Sequence, residues 1–211
     1  MTNSNNPQMT NTYTYLALGD SYTCAQSVPS TESYPVQAVN ILAAENIHFS
    51  GPEIIARTGW TTTDLLNKIN SSPPKCSTYD IVTLLIGVNN QYQHLSELQY
   101  KTEFTILLNK AIQYANNKKK RVIVLSIPDY SIMPFAEGSD TTYIAQQINR
   151  FNGINQTMAQ QAGVYYLDIT AYTRMAAGNS SLVAYDGLHP SGKEYKIWAT
   201  DLALLIRTAL Q

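Results

Sequence analysis

The run Ile81-Val82-Thr83-Leu84-Leu85-Ile86 constrains this chain more than any other stretch. It is β-branched and leucine-rich. It lacks the two-residue alternation of a half-exposed strand, and residues 80–86 are too few for a helix. Such a run is a strand covered on both faces, as in the middle of a parallel sheet. Residues 122–126 form a second run of this kind, stopped by Pro128. Parallel neighbours need long crossovers, usually helical, and helical patterns stand between the apolar runs.

Strands are expected at residues 13–18, 53–56, 80–86, 122–126 and 164–168. Helices are expected at residues 35–45, where Val36, Val39, Ile41 and Leu42 share a face, and at 62–69, 96–117, 142–162 and 191–210. Three of these open with capping-box spacing: Thr61 with Asp64, Ser96 with Gln99, and Ser191 with Glu194. Gly163 closes the fourth. Residues 129–140 read as a loop, and the stretch from 169 to Pro190 reads as irregular. The economical architecture is a single three-layer α/β/α domain on a five-stranded parallel sheet. It spans residues 13–211, after a polar, Asn-rich tail at 1–12 expected to be flexible.

Composition agrees. A chain of 211 residues, 44% of them hydrophobic, buries enough surface as one domain to need no disulfide or metal staple. Fourteen basic residues against fifteen acidic ones leave no single-sign field. That argues against nucleic acid or anionic lipid as a partner. The short run Lys118-Lys119-Lys120-Arg121 is read as a solvated helix end. Cys24 and Cys76 form no CxxC pair, and His48, His94 and His189 make no HExxH, so nothing proposes a metal site. No apolar run reaches the ~20 residues of a membrane span. The first residues lack the basic and apolar regions of a signal peptide. A cytoplasmic setting is expected, and an exported protein with its signal removed would read the same way.

Ligands of open α/β sheets bind beyond the carboxyl ends of the strands, so the chemistry is sought there. Gly19-Asp20-Ser21-Tyr22-Thr23 follows the first strand, Arg57-Thr58-Gly59-Trp60 the second, and Gly87-Val88-Asn89-Asn90 the third. Tyr185-Asp186-Gly187-Leu188-His189-Pro190-Ser191 precedes the last helix. These blocks bring a serine, a histidine, a carboxylate, a glycine amide and an asparagine amide: a nucleophile, its base and orienter, and oxyanion donors. Taken singly, each has a plainer reading. Gly-Asp-Ser is common turn chemistry, Gly59 suits a turn, Asn89-Asn90 is a turn pair and Asp186-Gly187 a turn signal. Ser191 is a helix N-cap, and Asp168, after the fifth strand, is a rival acid. Cys24 is read as a structural thiol.

The four blocks in this order resemble the SGNH subgroup of the GDSL hydrolases, with Tyr22 where the family usually has leucine. The resemblance implies a flavodoxin-like SGNH hydrolase fold. By motif it makes Ser21 the nucleophile, His189 the base and Asp186 the orienting acid. The oxyanion would be held by the backbone N–H of Ser21, by Gly59 and by Asn89. The activity implied is cleavage of carboxylic esters of short acyl chains through an acyl-enzyme, without cofactor or metal, on a small-molecule ester. Oligomeric state is left open. Alternatives within the family are a carbohydrate O-acetylesterase, a lysophospholipase or a thioesterase. The alternative of another class is a non-catalytic α/β binding module, which should have lost a catalytic residue, and none is lost. GxSxG, GxGxxG and GxxxxGK[ST] are absent. Tyr130, Ile132, Met133 and Phe135 are candidates to shape an acyl or alcohol pocket.

Overall fold

The computed structural model describes residues 12–211. The tail expected to be flexible therefore lies outside the described residues, except for Thr12. Five parallel strands form one sheet: β1 (Tyr15–Gly19), β2 (Glu53–Ala56), β3 (Ile81–Leu85), β4 (Val122–Leu125) and β5 (Tyr165–Leu167), in the order β2-β1-β3-β4-β5. Every residue of β1, β3 and β4 is buried, whereas β2 and β5 stand at the edges and are only partly covered. This is why the unalternating apolar runs belong to the centre. Strand order reverses between β1 and β3, which stay paired to their ends at Gly19 and Leu85, so the connections that follow them leave toward opposite faces of the sheet and frame a crevice beyond their carboxyl ends.

The main helices are α1 (Tyr34–Ala44), α2 (Thr62–Ser71), α4 (Glu97–Tyr114), α5 (Thr141–Ala162) and α7 (Gly192–Leu210), with the short α3 (Val88–Tyr92) and α6 (Thr170–Met175) between them. α1 and α7 pack together, and α2, α4 and α5 pack in succession, giving the expected three layers. Tyr34, Tyr195 and Trp198 interlock between α1 and α7, the last two rings edge-on at 5.1 Å. On α4, the Tyr100 hydroxyl meets both the Ile86 carbonyl, at 3.0 Å, and the side-chain amide of Asn155 on α5, tying two helices to the end of β3.

Local chemistry sets most boundaries. Thr61 and Asp64 form a full capping box, Asp140 caps α5 through the Tyr143 N–H, and Gly163 ends α5 at φ +74°. Three expectations need correction. The Ser96–Gln99 and Ser191–Glu194 pairs are each half a box: the serine hydroxyl caps the N–H three residues on, but the Gln99 side chain bonds to Glu103, and the Glu194 carboxylate points into the core and makes no hydrogen bond. Lys118–Arg121 is no helix end, because α4 stops at Tyr114 and residues 119–121 form a 3-10 turn leading into β4. α3 and α6 fall where a turn and an irregular stretch were expected; at five and six residues they are too short to display helical periodicity.

Candidate active site

The turn after β1 carries Ser21. The buried Asp20 accepts the Tyr22 N–H on its carboxylate at 3.1 Å, and its carbonyl accepts the N–H groups of Thr23 and Cys24. These bonds wind residues 20–24 into one tight turn. Burial pushes the Asp20 carboxyl up to about 7. Gly19 is required where the turn leaves the strand: a Cβ there would lie 2.0 Å from Thr23 Oγ1 and 2.6 Å from the Leu85 carbonyl. Ser21 is 4% exposed and His189 5%, and both reach solvent through the same cavity, of about 140 Å³. Gly59 and Asn89 line that cavity as well.

His189 and Asp186 come from the loop ahead of α7. His189 Nδ1 lies 2.6 Å from Asp186 Oδ2, and Asp186 Oδ1 accepts the N–H groups of Leu188 and His189 at 3.0 Å each. A third partner is Ser27, whose hydroxyl donates to the same Oδ2 at 2.6 Å. Partial burial pushes the Asp186 carboxyl up, but Ser27, the His189 ring and the two backbone donors outweigh it and hold the group well below the usual carboxylate range. An ionised carboxylate only accepts, so Nδ1 carries a proton, and in the neutral ring this tautomer places the lone pair on Nε2.

Asp168, the rival acid, lies elsewhere: it accepts from the Ser126 hydroxyl at 3.1 Å and from the Thr170 N–H at 3.0 Å, at the start of α6. Ser191 is the α7 cap, as expected. Cys24 is half-buried, burial pushes its thiol up, and its Sγ contacts the Ser21 carbonyl at 3.6 Å. Hydrogen bonds from Thr58 and the backbone act the other way but do not offset burial and the neighbouring Asp20.

Gly59 sits at φ +83°, a left-handed conformation that favours glycine. Neither its N–H nor that of Ser21 donates a hydrogen bond among the described residues. The Asn89 amide donates to the Trp60 carbonyl at 2.9 Å, which orients it and leaves its second N–H free. Asn90, its neighbour, is fully buried; its amide accepts from the Thr62 N–H at 3.0 Å and donates to the Thr62 hydroxyl at 2.7 Å. The paired asparagines are thus not a turn pair but residues of α3, one facing the cavity and one clasping α2.

Of the loop residues considered for a pocket, Tyr130 and Phe135 line the cavity, whereas Ile132 and Met133 face a separate groove. Two neighbours escaped sequence reasoning. Tyr22 is more than a tolerated departure: its ring packs at 4.9 Å on the His189 ring. Ser27 gives no sequence signal, being 159 positions from its partner.

The sequence model of the GDSL-like lipase/acylhydrolase family matches residues 17–197. No curated protein sequence matches the chain. Solved structures share the fold. A lipase/acylhydrolase from Enterococcus faecalis aligns at TM-score 0.74 and 16% identity, over 94% of this chain and 97% of that one. A lipase from a goat rumen metagenome aligns at TM-score 0.73 and 20% identity, over 92% and 97%. An acetyl xylan esterase from Geobacillus stearothermophilus aligns at TM-score 0.66 and 18% identity, over 92% and 94%. Among the described residues no helix is long and apolar enough to cross a membrane.

Proposed function

The chain belongs to the GDSL-like lipase/acylhydrolase family and is an ester hydrolase, and from that premise we propose that Ser21 attacks the acyl carbonyl with His189 Nε2 as its base. Asp186 holds Nδ1–H and stabilises the imidazolium that forms. The oxyanion lies against the N–H groups of Ser21 and Gly59 and the free N–H of Asn89. Collapse of the tetrahedral species releases the alcohol, which takes its proton from His189. Water then attacks the acyl-enzyme with His189 again as base, and the acid leaves.

One observation carries the reading. Ser21, Gly59, Asn89 and His189 converge on one small cavity, and Asp186 backs the histidine at 2.6 Å. At about 140 Å³ the cavity is well below the roughly 300–1,000 Å³ of pockets that bury larger ligands. This favours short acyl esters over the lysophospholipids and long-chain thioesters that other readings require. The same size admits the acetyl group of a carbohydrate ester, the activity named for one fold neighbour; comparing turnover of acetylated xylan and p-nitrophenyl acetate separates the two. The unpaired Cys24 and Cys76 fit a reducing, cytoplasmic setting.

A fluorophosphonate probe tests the nucleophile: peptide mapping should place it on Ser21. Ser21→Ala should lose on the order of 10⁴–10⁶ in kcat while remaining folded. Label on another residue, or Cys24→Ser abolishing activity as fully, overturns the assignment.

A further inference from the structure

Three aromatic rings close one side of the Ser21 cavity. Tyr92 ends α3, three residues after Asn89. Tyr130 and Phe135 stand on the 3-10 turns Tyr130–Ile132 and Pro134–Ala136, after β4. Their centroids lie 6.0 Å apart for Tyr92 and Tyr130, 6.0 Å for Tyr92 and Phe135, and 6.3 Å for Tyr130 and Phe135. Two of the pairs meet edge to face, an arrangement aromatic quadrupoles favour. The wall is anchored to the catalytic frame at both ends. Tyr92 shares α3 with Asn89, and the Phe135 N–H donates to the Gly187 carbonyl at 3.0 Å, inside the Asp186–His189 loop.

The same three rings also line a second cavity of about 350 Å³, whose further walls mix Ala136, Tyr143 and Ile144 with the polar His94, Ser139 and Asp140. One layer of side chains therefore separates the space beside Ser21 from a larger, partly apolar one. We propose that Tyr92, Tyr130 and Phe135 are a partition that sets acyl length: they end the acyl site after a few carbons, and the second cavity is the volume they withhold from longer chains. The inference rests on Ser21 as the nucleophile. The wall is assigned to the acyl group because that group stays attached to Ser21 through both half-reactions while the alcohol departs after the first, so the walled side of the serine suits what is retained. Val88 and Leu188, also on the cavity, complete an apolar lining fit for an alkyl stub.

Tyr130 is buried, but Tyr92 and Phe135 are half-exposed, so they can be shortened without opening the core. The experiment compares wild type, Phe135→Ala, Tyr92→Ala and the double variant on p-nitrophenyl acetate, butyrate, hexanoate and octanoate, with fluorophosphonate labelling of Ser21 in each. Phe135→Leu and Tyr92→Leu stand in for any alanine variant that fails to fold. Wild type should fall steeply beyond butyrate. Each methylene that gains an apolar wall is worth about fourfold, so the octanoate-to-acetate ratio of kcat/KM should rise at least ~10-fold in the double variant. A ratio within twofold of wild type, or wild type preferring octanoate, overturns the partition. A second series of acetates with alcohols of increasing size should show no comparable shift; a shift there instead assigns the wall to the alcohol and rejects the proposal. Failure of Ser21 to label, with the chain-length shift intact, rejects the nucleophile and not the wall.

Discussion

The Ser27 hydroxyl donates to the Asp186 oxygen that also meets His189 Nδ1, and both contacts are 2.6 Å long. Ser27 reaches that point from a left-handed backbone, φ +70°, with Ala25 two residues earlier at +61°. Non-glycine residues in this region carry strain. The strained loop after the nucleophile turn is therefore what carries a hydroxyl to the carboxylate behind the histidine.

Removing that hydroxyl should leave a more basic carboxylate, which stabilises the imidazolium better. Ser27→Ala should keep most activity, losing less than about tenfold in kcat/KM, and move the acidic limb of the pH–rate profile upward. Ser27→Gly, which removes the hydroxyl and also relieves the strain, should move the limb by the same amount. A profile that coincides with wild type in both variants contradicts the role.

Asp186 and Asp168 should separate kinetically. Asp186→Asn keeps the loop but loses the acceptor that fixes the His189 tautomer, at a cost of ~10²–10⁴ in kcat. Its depressed carboxyl also adds stability that is present above the unfolded-state value and lost as pH falls through the folded one. The acid-side decline in urea midpoint should therefore be shallower in Asp186→Asn. Asp168→Asn disturbs the bonds to Ser126 and Thr170 and should lower the urea midpoint with little change in kcat. The reverse ranking in kcat at equal folded fraction would reject the assignment.

The adjacent asparagines should fail in different ways. Asn89→Ala removes a donor to charge that exists only in the transition state, so kcat should drop about 10²–10³ with KM little changed. Asn90→Ala leaves the buried Thr62 hydroxyl without its donor and the Thr62 N–H without its acceptor, so it should cost roughly 1–3 kcal/mol of stability. The folded fraction should retain near-normal kcat. Steady-state kinetics beside thermal unfolding distinguish the two, and equal kcat losses would refute the division of labour.

Glu194 makes a pH prediction. Burial pushes its carboxyl up to about 7, with the Trp198 indole N–H offsetting a little of the shift, although neither group completes a hydrogen bond of ordinary geometry. The folded state then binds more protons than the unfolded one between about pH 4.5 and 7. Stability falls as pH rises through that window, by up to about 3 kcal/mol. Glu194→Gln cannot ionise and should gain stability over wild type at pH 8, with little difference at pH 4.5. Asp20, also raised to about 7, should leave a residual slope in the variant. Urea denaturation at the two pH values checks it; equal differences at both would contradict it.

Elements set by short-range chemistry were legible in the sequence. The runs that became β3 and β4 show burial on both faces directly, because a strand flanked by neighbours has no solvent side to mark with polar residues. The Thr61 cap and Gly163 stop satisfy backbone groups within a few positions, so their signals are local. The four blocks were legible because each directly follows a strand or precedes a helix. Other features were decided only when distant segments met. Asn89 and Asn90 are alike as letters, and the rotation of a five-residue helix makes one face the cavity and the other clasp Thr62. Ser27 gained its partner, Tyr22 its place against His189, and Glu194 its burial from packing between segments far apart in the chain. Apolar periodicity and capping record what a residue does for its neighbours in sequence. A hydrogen bond across 159 positions depends on where the sheet order and helix packing set two loops, and no local pattern encodes that.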